Sequence, residues 1–297
     1  MPVSAAWLDA FIEREKLPPL YRALIGKVHA PIAAQISQAT RRQSSSVLVG
    51  LCGSQGSGKS TAAAVLKALL EAEGLSAAVL SIDDLYLTRS ERIRISQSIH
   101  PLFRTRGVPG THDVALGVDV ISRLRKHKGP VAVPAFDKAR DDRQPQSTWP
   151  VMKSPVSVVI LEGWCVGARP QDPAMLQTPI NALERDEDPD ATWRKHVNYA
   201  LAGEYRELFG PIQLQILLRA PSFDVVYGWR LEQEHKLRAR LLAAGEAASH
   251  VMSDAGVARF IGHYERVTRH ILAEMPARAD IVVELDAQRR PVSLFGA

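Results

Sequence analysis

The chain predicts an α/β fold: a mainly parallel sheet with helices on both faces, preceded by a helical N-terminal segment and carrying a lid. Three observations support this. Apolar runs of strand length alternate with amphipathic helical stretches along most of the 297 residues. Several of these runs, such as "PVSVVILEGW", are continuously apolar, as strands buried on both faces must be. A glycine-rich turn, "GSQGSGKST" from Gly53 to Thr61, separates the first such run from a helix.

Residues 1–43 read as a helical N-terminal extension, with the polar "TRRQSSS" leading into the first strand, and residues 44–297 as the main domain. The first strand is "SSSVLVGLC", followed by the helix "TAAAVLKALLEAEG", closed by Gly74. A strand at "SAAVLSI" leads into a polar segment from Leu85 to His112, then a helix in "DVALGVDVISRLRKHKG" with Asp113 as N-cap. "PVAVPAF" reads as a short strand, followed by a basic loop and the strand "PVSVVILEGW". The acidic run "ERDEDPD", 184–190, reads as a solvated loop. After it come a helix around "TWRKHVNYALAGEYRELF", the strand "IQLQILLR", two long helices and a last strand, "DIVVELD".

Composition narrows the class. A 46% hydrophobic content suits one large domain or a domain with a lobe. In "MPVSAAWLDAFIEREKLPPL" the apolar residues are broken by Asp9, Glu13, Arg14, Glu15 and Lys16, which excludes a signal peptide or a membrane span there and points to a cytoplasmic protein without a membrane partner. Cys52 and Cys165 both fall in or just after apolar strands and read as packed free thiols. The net charge is +5, but the first 150 residues carry +7 and the remainder −2. Aromatic residues make up 6% of the chain and do not alternate with the basic ones, so a nucleic-acid platform is not expected and small anionic substrates are.

The turn at Gly53 matches G-x-x-x-x-G-K-[ST]. Its backbone N–H groups converge on phosphate oxygens, and the following helix adds its positive dipole end. Gly53, Ser54, Gln55, Gly56, Ser57, Gly58, Lys59, Ser60 and Thr61 are therefore the expected nucleotide-binding residues, with Lys59 reaching the β and γ phosphates and the Ser60 hydroxyl ligating magnesium. In a parallel sheet, functional groups collect beyond the carboxyl ends of the strands. That rule selects Asp83 and Asp84 in "SIDDLYL" and Glu162 in "VVILEGW". Glu162 suits magnesium binding and Asp83 suits deprotonation of a substrate hydroxyl, with Asp84 in support. No N-K-x-D string marks a guanine switch, and the length leaves no room for tandem motor domains.

The succession of the P-loop, "SIDDLYL", "HPLFRTRGVPGTHDVALG", "VPAFDKARDDR", "ILEGWCVG" and "WRLEQEHKLR" resembles the P-loop kinase branch of phosphoribulokinase, uridine kinase and pantothenate kinase, and within it most resembles D-glycerate 3-kinase of the plant and fungal type and its bacterial relatives. The resemblance implies that 44–297 is a P-loop kinase domain using ATP and Mg2+ to convert D-glycerate to 3-phosphoglycerate. It implies Asp83 as base, Lys59 and Ser60 as the P-loop pair, and Glu162 as the acidic strand-end residue. Phe136 stands where uridine kinases usually carry tyrosine, which removes a hydroxyl donor.

A compact hydroxy acid is oriented chiefly by its carboxylate, which suits Arg104 and Arg106 of "FRTRG". Tyr86 and His112 are further substrate-binding candidates, and Asp137, Lys138, Arg140 and Arg143 form a second cluster in which Asp137 and Arg140 are the chosen contacts. Arg230 in "WRLEQEHKLRARL" is the lid candidate. Uridine, pantothenate or another small alcohol as acceptor, and a nucleotide-dependent regulatory or chaperone-like protein, are the alternatives.

Overall fold

The computed structural model describes residues 5–14, 17, 21–43, 45–243 and 251–296. Among them ten strands form: β1 (Val47–Gly53), β2 (Ala77–Ser81), β3 (Gly129–Ala132), β4 (Phe136–Asp137), β5 (Asp142–Arg143), β6 (Val151–Ser154), β7 (Val158–Gly163), β8 (Leu214–Arg219), β9 (Ile281–Leu285) and β10 (Pro291–Phe295). The main sheet has the order β10-β9-β8-β1-β7-β2. Five of its strands are parallel and β10 is antiparallel. Every residue of β1 and β7 is buried, and each fully buried aliphatic side chain there is worth about 1.5–3 kcal/mol. The expected α/β class and parallel sheet are what the chain forms.

The helices, in chain order, are α1 (Ala5–Arg14), α2 (Tyr21–Leu24), α3 (Ala30–Arg42), α4 (Lys59–Ala72), α5 (Arg89–Ser98), α6 (Val114–Lys126), α7 (Ala182–Glu187), α8 (Thr192–Ala202), α9 (Tyr205–Phe209), α10 (Phe223–Ala243) and α11 (Asp254–Glu274). Phe11, Ile25, Ile32 and Ile36 from the N-terminal helical segment are buried in the main core, so these helices share the apolar interior of the sheet. Ser44, at the expected boundary, and the end of the first long helix beyond Ala243 lie outside the described residues.

Several elements differ from the sequence reading. The polar segment 85–112 contains α5, whose N-terminus is a capping box: Thr88 accepts from the Glu91 N–H and Glu91 accepts from the Thr88 N–H. "PVAVPAF" does not join the main sheet. Its first half pairs with β6 and its last residue, Phe136, opens the β4–β5 hairpin. The helix after residue 190 is split in two at Gly203.

The acidic run 184–190 is not a solvated loop. Most of it is α7, and Glu184 and Asp188 are buried. Arg266 of α11 meets both Glu184 carboxylate oxygens at 2.7 and 2.6 Å, and Arg194 of α8 meets Asp188 at 2.9 Å. The remaining guanidinium N–H groups donate to backbone carbonyls of Met175, Leu176, Gln177 and Thr178. Buried charges persist because each is paired and hydrogen-bonded.

Candidate active site

The P-loop leaves β1 at Gly53 and turns into α4 at Gly58, whose φ of 85° lies in the left-handed region that favours glycine. Gln55, Gly56, Gly58, Lys59, Ser60 and Thr61 line a cleft of about 410 Å³. The Ser60 hydroxyl donates to Glu162 Oε1 at 3.0 Å. Glu162 lies opposite Leu51 on one side and Ser81 on the other, so the central strands bring the P-loop helix, Glu162 and the segment after β2 together. Glu162 Oε2, Ser54 Oγ, Gln55 Oε1 and Ser57 Oγ are buried without a hydrogen-bond partner among the described residues. Such atoms are costly to leave unmatched and are satisfied when a polar ligand enters. Ser60 and Glu162 present oxygen ligands of the kind a hard cation takes. No group of three or more His, Cys, Asp or Glu that could hold a metal exists among the described residues, so further ligands would be phosphate oxygens and water.

Across the cleft stands Asp83, in the tight turn Ile82–Leu85 that Ser81 caps. Its Oδ1 accepts from the Tyr86 hydroxyl at 2.7 Å and its Oδ2 from the Lys138 ammonium at 2.7 Å. Burial pushes this carboxyl upward, but the Lys138 and Lys59 charges and the two hydrogen bonds outweigh it and hold the pKa below its ordinary value. Asp84 faces away and accepts from the Phe136 N–H at 3.1 Å, fastening the β4–β5 hairpin to this turn. Burial and the Asp83 and Glu162 charges raise its pKa.

Arg104 and Arg106, read from sequence as a pair, are separated. Arg106 lines the cleft, pairs with Asp141 and lies over the Phe136 ring, 5.5 Å from its centroid. Arg104 ends a 3-10 turn with its side chain exposed, and its carbonyl accepts from buried Arg92 at 2.9 Å. The Arg106–Gly107 segment is gripped from both sides: Tyr264 donates to the Arg106 carbonyl at 3.1 Å and Trp164 to the Gly107 carbonyl at 2.9 Å. At Gly107, with φ 135°, any Cβ would collide with the Tyr264 hydroxyl.

The other substrate candidates divide likewise. Tyr86 lines the cleft. His112 sits behind it, its ring stacked on Tyr86 at 4.8 Å and its Nδ1 bonded to the Tyr205 hydroxyl. Burial pushes the His112 pKa down to about 4, so the ring is neutral and supports Tyr86 from below. Asp137 accepts from the N–H groups of Ala139 and Arg140, which closes the hairpin turn, and the Arg140 side chain is 84% exposed. Neither of these two lines the cleft. Arg230 does, held by Glu234 one turn along α10 and lying 5.4 Å from the Phe260 centroid.

Trp164, Gln233, Phe260 and Tyr264 complete the lining and escape the sequence reading. Phe260 and Tyr264 are one turn apart in an amphipathic helix, a pattern that reads as core, and Gln233 follows Arg230 at helical spacing. The signal for Trp164 was its place two residues after Glu162 at the strand end.

A parallel sheet with a P-loop after central β1, Glu162 at the end of adjacent β7 and Asp83 just beyond β2 on its far side has the architecture of a P-loop nucleotide enzyme. The scan against protein-family models gives no match. The chain is 34% identical over 226 residues to the uncharacterized kinase mug58 of Schizosaccharomyces pombe, covering 73% of this chain and 78% of that protein. It is 28% identical over 263 residues to the chloroplastic D-glycerate 3-kinase of Arabidopsis thaliana, covering 83% of this chain and 54% of that protein, so it spans about half the plant protein's length. The solved D-glycerate 3-kinase from Cryptococcus neoformans var. grubii has a TM-score of 0.73 at 24% identity, covering 90% of this chain and 98% of that one, a likeness of fold. The chain belongs to the P-loop kinase family of the fission-yeast protein and is an ATP-dependent small-molecule kinase. No helix among the described residues is long and apolar enough to cross a membrane.

Proposed function

We propose that this kinase transfers the γ-phosphoryl group of ATP to the 3-hydroxyl of D-glycerate, giving 3-phosphoglycerate and ADP. The observation that carries this reading is the acceptor side of the cleft: Asp83, held by Lys138, shares it with a second cation, Arg106, and with Tyr86, Trp164 and Tyr264. That combination suits a small alcohol bearing a carboxylate, and the plant relative's name supports it.

The P-loop N–H groups and Lys59 hold the phosphates. Ser60 and Glu162 would hold magnesium, which would supply positive charge against the developing phosphate charge. Arg106 fixes the acceptor carboxylate, and Asp83 orients the 3-hydroxyl and takes its proton as the new O–P bond forms and the bond from Pγ to the bridging oxygen breaks, releasing ADP. Arg230, which lines the same cleft, would add positive charge for the transferring group.

The test is ADP release with D-glycerate, L-glycerate, uridine, pantothenate and ribulose 5-phosphate. D-glycerate is expected to give the highest kcat/KM. Preferential turnover of any of the others overturns the reading.

A further inference from the structure

The two donors on Asp83 differ in how firmly they are held. The Tyr86 ring is 3% exposed and is wedged between His112 and the edge of Phe136, whose centroids lie 4.8 and 5.2 Å away. It stays with Asp83 whatever enters the cleft. Lys138 lies in a turn closed by Asp137, which accepts from the Ala139 and Arg140 N–H groups, while its side chain is 60% exposed and pairs with Asp83 alone among the described residues. Its flexible stem lets the ammonium swing. Arg106, the other cation on this side, is fixed by Asp141 and the Phe136 ring and has no such freedom.

An ammonium on a general base works against it. The positive charge stabilises the carboxylate and so disfavours the protonated form that must develop as the hydroxyl is deprotonated. We propose that Lys138 is an acceptor-sensing latch: with the acceptor subsite empty its ammonium caps Asp83 Oδ2, and an acceptor carboxylate draws it away, so that the same movement binds the acceptor and releases the base. This deepens the proposed function and rests on its reading of the acceptor as an anionic alcohol. Neutral alcohols and water supply no anion to open the latch. With Lys138 in place they meet a capped carboxylate, and transfer of the γ-phosphoryl group to water, with its proton passing to Asp83 and ADP leaving, is suppressed.

The experiment compares full-length wild type, Lys138→Met and Lys138→Arg with D-glycerate, with glycerol as its neutral counterpart, and with no acceptor, following ADP release in each. A charge-assisted hydrogen bond lost from the acceptor predicts that Lys138→Met raises the glycerate KM by roughly tenfold to a hundredfold while the ATP KM stays within about twofold. The preference for glycerate over glycerol narrows by a similar factor, and acceptor-free ATP hydrolysis rises severalfold. Lys138→Arg restores part of the preference. An unchanged glycerate-to-glycerol preference together with unchanged acceptor-free hydrolysis in Lys138→Met overturns the latch. Should wild type itself ignore glycerate, the function reading fails separately, and acceptor-free hydrolysis alone decides the latch: a rise in Lys138→Met supports it and a wild-type rate overturns it. Because the side chain is exposed, an unaltered thermal melt confirms that each variant is folded.

Discussion

The proposed nucleotide half of the cleft comes from one short segment, Gln55, Gly56 and Gly58–Thr61, whereas the proposed acceptor half is gathered from segments around Asp83, Arg106, Lys138, Trp164, Arg230 and Phe260. The first half is a local object: a strand, a turn that needs glycine and a helix start, whose spacing fixes where each N–H points. The second exists only once β2, the β4–β5 hairpin, the turn after β7 and helices α10 and α11 are packed together. Damage to the P-loop should therefore stay local, while the acceptor half should be sensitive to residues that never touch the substrate.

The sharpest separation of the halves comes from Lys59→Ala. Turnover should be abolished with the thermal melt unchanged, because this side chain serves charge rather than packing. Near wild-type activity would remove the P-loop from the mechanism. The next effect is structural. Arg266→Met leaves Glu184 buried and unpaired beneath α11, the helix that carries Phe260 and Tyr264, and should cost about 3–5 kcal/mol in chemical denaturation. A loss below about 1 kcal/mol would mean that α11 is held by other contacts.

These outcomes bear on what could be read from sequence. The parallel strands and the P-loop were legible because continuous apolar runs and a fixed motif are local signals. The Arg266–Glu184 and Arg194–Asp188 pairs were not, since an acidic run reads as solvated until Arg194 of the next helix and Arg266 of α11 are folded onto it. The α5 capping box lay in plain spacing, Thr88 to Glu91, but the short polar helix behind it has no apolar stripe. Asp83, Tyr86, Arg106 and Arg230 were chosen from sequence and share the cleft. Arg104, His112, Asp137 and Arg140 were also chosen and point elsewhere, because their directions depend on turns that residue type alone does not specify.

Arg106→Lys sharpens the contrast on a smaller scale. An ammonium cannot reproduce a planar two-point contact, so the glycerate KM should rise by roughly tenfold with the ATP KM little changed. Equal losses for both substrates would move Arg106 to the phosphate side. The smallest expected effect is in the pH profile. As the proposed base Asp83 would act deprotonated, and its pKa lies below the ordinary carboxylate value, so kcat/KM for glycerate should lose activity through this group only as pH falls below the ordinary aspartate range of about 4. An acid limb assigned to Asp83 near pH 6 would contradict the charge environment described for it.

The division of labour between the halves is tested most directly by Asp83→Asn, which keeps the shape of the side chain and removes its charge. Glycerate-dependent ADP release and ATP affinity are measured on the same preparation, the second by titration. The account predicts a fall in kcat of about a hundredfold or more, as expected for a lost general base, with ATP affinity within about twofold of wild type. Normal turnover in Asp83→Asn, or a loss of ATP affinity as large as the loss of kcat, would contradict it.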